Sequence, residues 1–276
     1  MSAQTGLIWL LAAVALGLAY LSWATARRRQ ALQDQLQQAL DGKQRLQAFL
    51  MSMSHHLRTP LNGIMGYAEY IHSSTQEPMV QFTSKIILEN SVHMLHLANG
   101  LLDLSNIQEG TLQLSHASFE LPDLIGSLKA LHQVRADEAG IELFAMMAND
   151  TPLVMQTDPY RVRQVLNNLL DNALKFTPAN GQVVLAVSPS ANGRQVTFSV
   201  QDTGPGIAAE LQATLFKDNI SNPSRFVLRP QQGAGLGLIL SHHLVRLMGG
   251  QLDFSTLAGQ GSLFFFTLPL QADNPG

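Results

Sequence analysis

The ten residues Asn167-Asn-Leu-Leu-Asp-Asn172-Ala-Leu-Lys175-Phe176 decide how this 276-residue chain is read. As a helix they put Asn168 and Asn172 four residues apart on one face, with Lys175 three further along. Carboxamide oxygens are hard ligands suited to Mg2+, and a lysine beside them suits a phosphate. A plain amphipathic helix with a polar face explains any one of these residues. It does not explain their order ahead of two glycine turns, Asp202-Thr-Gly-Pro-Gly206 and Gly233-Ala-Gly-Leu-Gly-Leu238. Backbone N–H groups and a helix amino terminus approach an anion closely only where side chains are absent. The three segments together therefore point to a phosphate-bearing ligand. Two common phosphate-binding patterns are excluded: no G-x-x-x-x-G-K-[ST] occurs, and no G-x-G-x-x-G joins an early strand to a helix.

Around these segments the chain reads as short strands and helices. Phe119–Leu131 and Asp158–Asn172 read as helices, and Val183–Val187 and Val196–Gln201 as strands about an Asn192-Gly193 turn. The first glycine turn ends the second of those strands. The second opens a helix that runs to Met248 and stops at Gly249-Gly250. A last hairpin pairs Gln251–Thr256 with Ser262–Leu268 through Ala258-Gly-Gln-Gly261. Elements in that order predict an α/β sandwich over residues 121–271, followed by a tail of 272–276.

Upstream the texture is helical. Leu32, Leu36, Ala39, Lys43, Leu46, Leu50, Met53 and Leu57 recur at alternating spacings of four and three, a heptad seam with one polar position. After the turn Ser73-Ser-Thr-Gln-Glu-Pro78 a second pattern runs through Met79, Phe82, Ile86, Asn90, His93, Leu97, Leu101 and Leu104. Two helices of similar length about a short turn predict a hairpin. Each carries more apolar surface than one partner covers, so a homodimer completing a four-helix bundle is expected. In the seam's register His55 falls on the solvent face, and Pro60 cannot donate to the His56 carbonyl, which loosens that turn. An exposed imidazole on an opened helix suits a nucleophile or an acid–base group. His55 and its neighbour His56 point about 100° apart, which does not suit chelation of one ion.

Composition narrows the rest. Cysteine is absent, which excludes disulfides, thiolate metal sites and a cysteine nucleophile. A net charge of −3 gives no general electrostatic reason to bind nucleic acid. Charged residues are only 13 %, about half the ~25 % of an average soluble protein. Part of that deficit is local, because residues 1–26 carry no charged side chain. Leu7–Ala24 is an apolar run with Ser22 as its one strongly polar member, Trp9, Tyr20 and Trp23 stand near its ends, and Arg27–Arg29 follow. The run reaches the length of a spanning helix. A signal peptide carries its positive charge before the run rather than after it. The expectation is a single membrane anchor over residues 1–29 with its amino terminus outside, then a coiled-coil-like connector over 30–48.

From Phe49 to Leu270 the chain resembles bacterial sensor histidine kinases, especially the type found as the kinase core of hybrid sensors. Phe49-Leu-Met-Ser-Met-Ser-His55-His-Leu-Arg-Thr-Pro-Leu-Asn-Gly63 is similar to the H-box of a dimerisation and phosphotransfer hairpin, here residues 49–110. Asn168–Phe176 is similar to the N-box, Asp202-x-Gly-x-Gly206 and Gly233-x-Gly-x-Gly237 to two glycine boxes, and Gly259-Gln-Gly-Ser262 to a third. The resemblance implies an ATP-binding domain of the GHKL type over 121–271, joined to the hairpin by a linker at 111–120. It implies that His55 takes the γ-phosphoryl group of ATP, that Asn168 and Asn172 hold Mg2+, and that Lys175 contacts phosphate. Asp202 would accept from the adenine amine, Gly204 and Gly206 would shape that wall, and Gly233, Gly235 and Gly237 would border the lid and the phosphates. Thr59 stands where the family places a residue that helps hydrolyse the phosphorylated response regulator.

Three positions depart from the family pattern. His56 replaces the Glu or Asp that normally follows the phospho-acceptor, so a neutral imidazole takes the place of an anionic base. Phe216 survives from a phenylalanine-rich box, but Lys217-Asp-Asn219 replaces its acid-x-Phe and Ser221–Gln232 forms an atypical lid. Ala234 replaces a common Thr or Ser. Two functions stay open. One is an active kinase that passes the phosphoryl group from His55 to an aspartate of a separate response regulator. The other is a catalytically weak, ATP-binding pseudokinase acting as a membrane scaffold or modulator. The expected location is the bacterial inner (cytoplasmic) membrane, single-pass, with the catalytic part in the cytoplasm. No PAS- or HAMP-sized segment separates Arg29 from Phe49 and no receiver domain follows Leu270. Input is therefore expected through the anchor or a membrane or cytoplasmic sensor partner, and the receiver domain on another chain.

Overall fold

The computed structural model describes residues 57–190, 193–212, 215–216, 235–257 and 259–270, together with scattered helical positions between 23 and 37. The chain divides into two units, Met1–Leu57 and Arg58–Gly276. In the first unit the Arg27 guanidinium lies 5.0 Å from the centroid of the Trp23 ring. Among the described residues no helix is long and apolar enough to cross a membrane. The predicted anchor run Leu7–Ala24, apart from Trp23, and the seam positions Leu32 to Met53 lie outside the described residues, as do His55, His56 and Gly233.

The second unit begins within α1, described over residues 57–74, and after a three-residue break comes α2 (Pro78–Glu109). The expected turn was wider, from Ser73 to Pro78. Ser73 and Ser74 stay helical, because Pro78 supplies a ready-made first turn and Gln81 Nε2 donates to the Thr75 carbonyl at 2.8 Å. The helices run antiparallel: Arg58 Nη2 donates to Asn99 Oδ1 at 2.6 Å near one end, and His72 lies against Ser84 near the other. Leu61, Ala68, Ser84, Ser91 and Ala98 are buried. Ile64, Tyr67, Tyr70 and Ile71 of α1, and Met79, Phe82, Ile86, Leu97 and Leu101 of α2, are exposed within the single chain. Gly110 ends α2 in the left-handed region, its N–H donating to the Ile107 carbonyl.

Beyond it, β1 (Ala117–Glu120) pairs antiparallel with β3 (Val154–Thr157). A five-stranded sheet runs in the order β2 (Glu142–Met147), β4 (Gln182–Pro189), β5 (Gln195–Asp202), β7 (Gly261–Pro269), β6 (Gln251–Leu257). Only β2 and β4 are parallel. The inward residues of the strands, among them Leu185, Phe198 and Phe266, form one core with the apolar sides of α3 (Leu121–Glu138), α4 (Pro159–Phe176) and α6 (Gly235–Leu247). Phe198 and Phe266 stack at 4.9 Å across β5 and β7. A short α5 (Ala209–Gln212) follows the first glycine turn.

The α/β sandwich is thus as expected, with local corrections. Phe119 lies in β1 and not in a helix, because Glu120 and Phe119 pair with Val154 and Met155, and Leu121 N–H donates to the Leu153 carbonyl at 2.8 Å. The helix begins at Leu121 with Pro122 in its first turn and runs past Leu131 to Glu138, where Ala136 is still buried. The helix expected to end at Asn172 continues to Phe176, and the one expected to open at Gly233 is described from Gly235. Strands β1, β2 and β3 were not anticipated.

The first turn of α4 joins the parts. Asp158 caps the helix by accepting from Arg161 N–H and also accepts from Ser115 N–H at 2.9 Å. Arg161 Nη1 meets Asp103 Oδ2 of α2 at 2.7 Å, Gln164 Nε2 donates to the same oxygen, and both partners of the ion pair are largely buried. Leu104 of α2 belongs to the core of the sandwich. Truncating one member of a buried pair strands the other charge, so Arg161→Ala is expected to cost roughly 2–4 kcal/mol. Asp103→Ala and Arg161→Ala together should cost less than the sum of the two, measured by urea denaturation as a double-mutant cycle.

Candidate nucleotide site

Helix α4 is the spine of the site. Its buried side, Val162, Val165, Leu166, Leu169, Leu170 and Ala173, is set by the sheet and the neighbouring helices. Asn168 and Asn172 therefore come to the opposite side, half-buried. Asn168 Nδ2 donates to Ser241 Oγ of α6 at 3.0 Å. A Cβ on Gly237 would lie 2.0 Å from Asn168 Oδ1, so only glycine admits the carboxamide there. Asn172 Nδ2 is buried with no partner among the described residues. Asn167, although adjacent in sequence, turns away: its Oδ1 lies 3.0 Å from Nε2 of the buried His132 of α3. Lys175 is exposed in the last turn, its Nζ 5.3 Å from the centroid of the Phe176 ring.

At the carboxyl end of α4 stands the Asp202 turn. A Cβ on Gly204 would lie 2.9 Å from the Phe176 carbonyl oxygen and 2.8 Å from Asp202 Oδ1, so the turn closes on the helix only through glycine. Asp202 is buried at the end of β5. Its Oδ1 accepts from Gly204 N–H at 2.8 Å and from Ser262 N–H at 3.3 Å, while Oδ2 has no partner among the described residues. Burial pushes the carboxyl above the ordinary aspartate value, against the two backbone N–H groups, which pull it down. Gly206 follows in the same turn, and Ile207 N–H donates to Thr256 Oγ1. From Asn168 to Phe176 the helix rises about 12 Å, enough to keep a base at one end and its phosphates at the other.

The residues fit a nucleotide with a divalent cation. Asn168 Oδ1 is a hard oxygen, the Asn172 amide is an orphaned buried group, and Asp202 presents an unpaired acceptor. Among the described residues no group of three or more His, Cys, Asp or Glu side chains could hold a metal by itself. A cation here would depend on phosphate oxygens for most of its shell, as Mg2+ commonly does. Gly235 and Gly237 lie in the first turn of α6, and Gly237 lies against Asn168. Thr59 is exposed on α1, on the hairpin. Phe216 stacks on His242 of α6 at 5.2 Å and meets Phe254 edge-on. A cleft of about 410 Å³ beside Phe216, His242, Arg246 and Asp253 contains none of the predicted nucleotide-site residues.

Two supporting residues were missed in the sequence. Ser262 was legible as the end of the third glycine box, but its N–H bond to Asp202 joins strands sixty residues apart. Ser241 carried one faint signal, its spacing of four from Gly237 on a helix.

Comparison with known proteins identifies the domains. Residues 45–110 match the His Kinase A (phospho-acceptor) domain, and residues 157–272 match the histidine kinase-, DNA gyrase B- and HSP90-like ATPase family. The chain is 36 % identical over 236 residues to the sensor protein GacS of Pseudomonas syringae pv. syringae, covering 84 % of this chain and 26 % of that one. It is 36 % identical over 254 residues to the circadian input-output histidine kinase CikA of Thermosynechococcus vestitus, covering 89 % of this chain and 34 % of that one. The chain thus spans about a quarter to a third of the length of these relatives. Among solved structures it is similar to full-length ShkA in complex with AMPPNP, with a TM-score of 0.64 and 34 % identity, covering 81 % of this chain and 46 % of that one. Histidine kinase ThkA, solved in complex with response regulator protein TrrA, shares the fold at 23 % identity, with a TM-score of 0.51 and coverage of 80 % and 60 %. With a phospho-acceptor domain and an ATPase domain matched in that order, the chain belongs to the sensor histidine kinases.

Proposed function

We propose that this chain is the kinase core of a two-component sensor. It binds ATP with Mg2+ in the sandwich domain, phosphorylates His55, and passes the phosphoryl group to a receiver aspartate on another chain. The observation that carries the reading is the pairing along α4, where the Asn168 carboxamide lies against Gly237 at one end and the Asp202 carboxylate stands at the other. The similarity to a protein solved with AMPPNP supports nucleotide binding by this chain.

In this reading Asp202 Oδ2 accepts from the adenine amine while Oδ1 stays tied to Gly204 and Ser262. Gly204 and Gly206 form the wall beside the base, and Gly233, Gly235 and Gly237 border the phosphates. Asn168 and Asn172 hold Mg2+, and Lys175 contacts phosphate. Mg2+, when bound, neutralises charge on the transferring phosphoryl group. His55 attacks the γ-phosphorus and the bond to the β-phosphate oxygen breaks, releasing ADP. His56 takes the imidazole proton in place of the usual acid. Thr59 serves the reverse process, hydrolysis of the regulator's phosphoryl group.

The exposed apolar stripe of α1 and α2 supports a homodimer through the hairpin, which would cover Tyr67, Tyr70, Phe82 and Leu101. The uncharged run Leu7–Ala24 followed by Arg27–Arg29 supports a single-pass anchor in the bacterial inner membrane with the catalytic part in the cytoplasm. A membrane or cytoplasmic sensor partner would act through that anchor.

Incubated with γ-labelled ATP, the chain is expected to acquire an acid-labile label that the His55→Ala variant lacks. Retained ATP binding without label overturns the kinase reading. His56→Glu restores the anionic base and should speed labelling at least tenfold, less than the full ~10²–10⁴-fold of general-base assistance because the imidazole it replaces is itself a base.

Asp202→Asn is expected to weaken ATP binding about tenfold or more by calorimetry, since a hydrogen bond to a charged acceptor is worth ~1.5–3 kcal/mol. Because burial raises the Asp202 pKa above the unfolded value near 3.9, the folded chain binds this proton more readily than the unfolded one. The stability that protonation lends is present at low pH and is lost as pH rises through the folded value. ATP affinity runs the other way, complete above that raised pKa and falling below it. Asp202→Asn should flatten both dependences.

A further inference from the structure

Ser241 lies on the same face of α6 as Gly237, one turn on, and is buried. Between them these two residues grip both ends of one side chain. Asn168 Nδ2 donates to Ser241 Oγ at 3.0 Å, and Asn168 Oδ1 occupies the space that a Gly237 Cβ would need. The two ends of a carboxamide have nearly the same shape, so packing by itself does not choose between them. Their chemistry is opposite, because the oxygen ligates a hard cation and the amide nitrogen only donates. When the oxygen faces a cation, the nitrogen must point into the protein, where it needs an acceptor.

We propose that Ser241 is a positioning residue that supplies this acceptor and so commits the oxygen of Asn168 to the nucleotide-bound Mg2+. The inference rests on the reading of Asn168 as a metal ligand. Without the hydroxyl, the ligating orientation leaves a buried N–H unpaired, and the amide turns over or stays unpaired at the expense of cation affinity. The role is specific to the cation: Ser241 touches neither base nor phosphate in this arrangement, so nucleotide affinity without Mg2+ is independent of it.

The test measures AMPPNP binding to the full chain in detergent micelles by calorimetry across a Mg2+ series, reading the Mg2+ concentration at half-maximal enhancement. Ser241→Ala is expected to raise that concentration about tenfold, in the range for loss of a group that orients a ligand. AMPPNP affinity without Mg2+ should stay within about twofold of the parent chain. Asn168→Ala should raise the half-point at least as much, and adding Ser241→Ala to it should raise it no further. A half-point that moves with Asn168→Ala and not with Ser241→Ala overturns the role of Ser241 alone. One that moves with neither overturns the metal reading of Asn168 and this inference with it. Equal, additive effects in both backgrounds mark Ser241 as a packing residue and overturn the assignment. If Asn168→Ala binds no nucleotide at any Mg2+ concentration, Ser241→Thr, which keeps the acceptor, decides. A half-point near that of the parent chain supports the assignment, and a loss equal to that of Ser241→Ala overturns it.

Discussion

The ion pair between Arg161 and Asp103, with Asp158 capping the same turn, sets the position of α4, and the nucleotide site depends on α4. The turn accepts the Ser115 N–H of the connecting segment, holds the end of α2 through Asp103, and starts the helix whose polar side carries Asn168 and Asn172. Leu104 of α2 enters the sandwich core directly. The last turns of the hairpin and the first turn of α4 are therefore tied through charge, hydrogen bonds and apolar contact together. Removing either partner of this partly buried pair leaves the other charge without its counter-ion.

From that anchorage the site follows by close approach. Glycine at 237 lets the Asn168 carboxamide lie against α6, and glycine at 204 lets the Asp202 turn close on the Phe176 carbonyl. These glycines are needed for space rather than for flexibility. The carboxylate they help to bury pays a desolvation cost, visible as its raised pKa, and two backbone N–H groups offset part of it. A buried acceptor with one oxygen left over is suited to discriminate between ligands by hydrogen bonding, since the wrong partner leaves it unpaired.

The low charge content has separate physical sources. Residues 1–26 account for one part, and the apolar stripe on α1 and α2 for another, since Tyr67, Tyr70, Met79 and Phe82 are exposed without charged residues to replace them. Phe216 packs among the aromatic residues of the sandwich through its stacking on His242.

How much was legible in the sequence depended on how local each signal was. The periodicity of α2, the polar spacing of Asn168 and Asn172 and the glycine turns are properties of adjacent residues, so the hairpin, the sandwich and the placing of Asn168 and Asn172 on one helix were readable. The strands β1, β2 and β3 were not. Each is short, and Phe119 becomes a strand residue only because Met155 lies opposite it. The extension of α4 to Phe176 was likewise a matter of contact, since Ala173 and Leu174 are buried in a core assembled from distant strands. By itself the sequence determined which side chains share a helical face and where the backbone turns, because backbone sterics and hydrophobic period act over a few residues. Only the tertiary structure decided that Ser241 and Gly237 take opposite ends of the Asn168 carboxamide, and that Ser262 meets Asp202. Those choices belong to groups far apart in the chain, and a hydrogen bond is made only when folding brings both ends within about 3 Å.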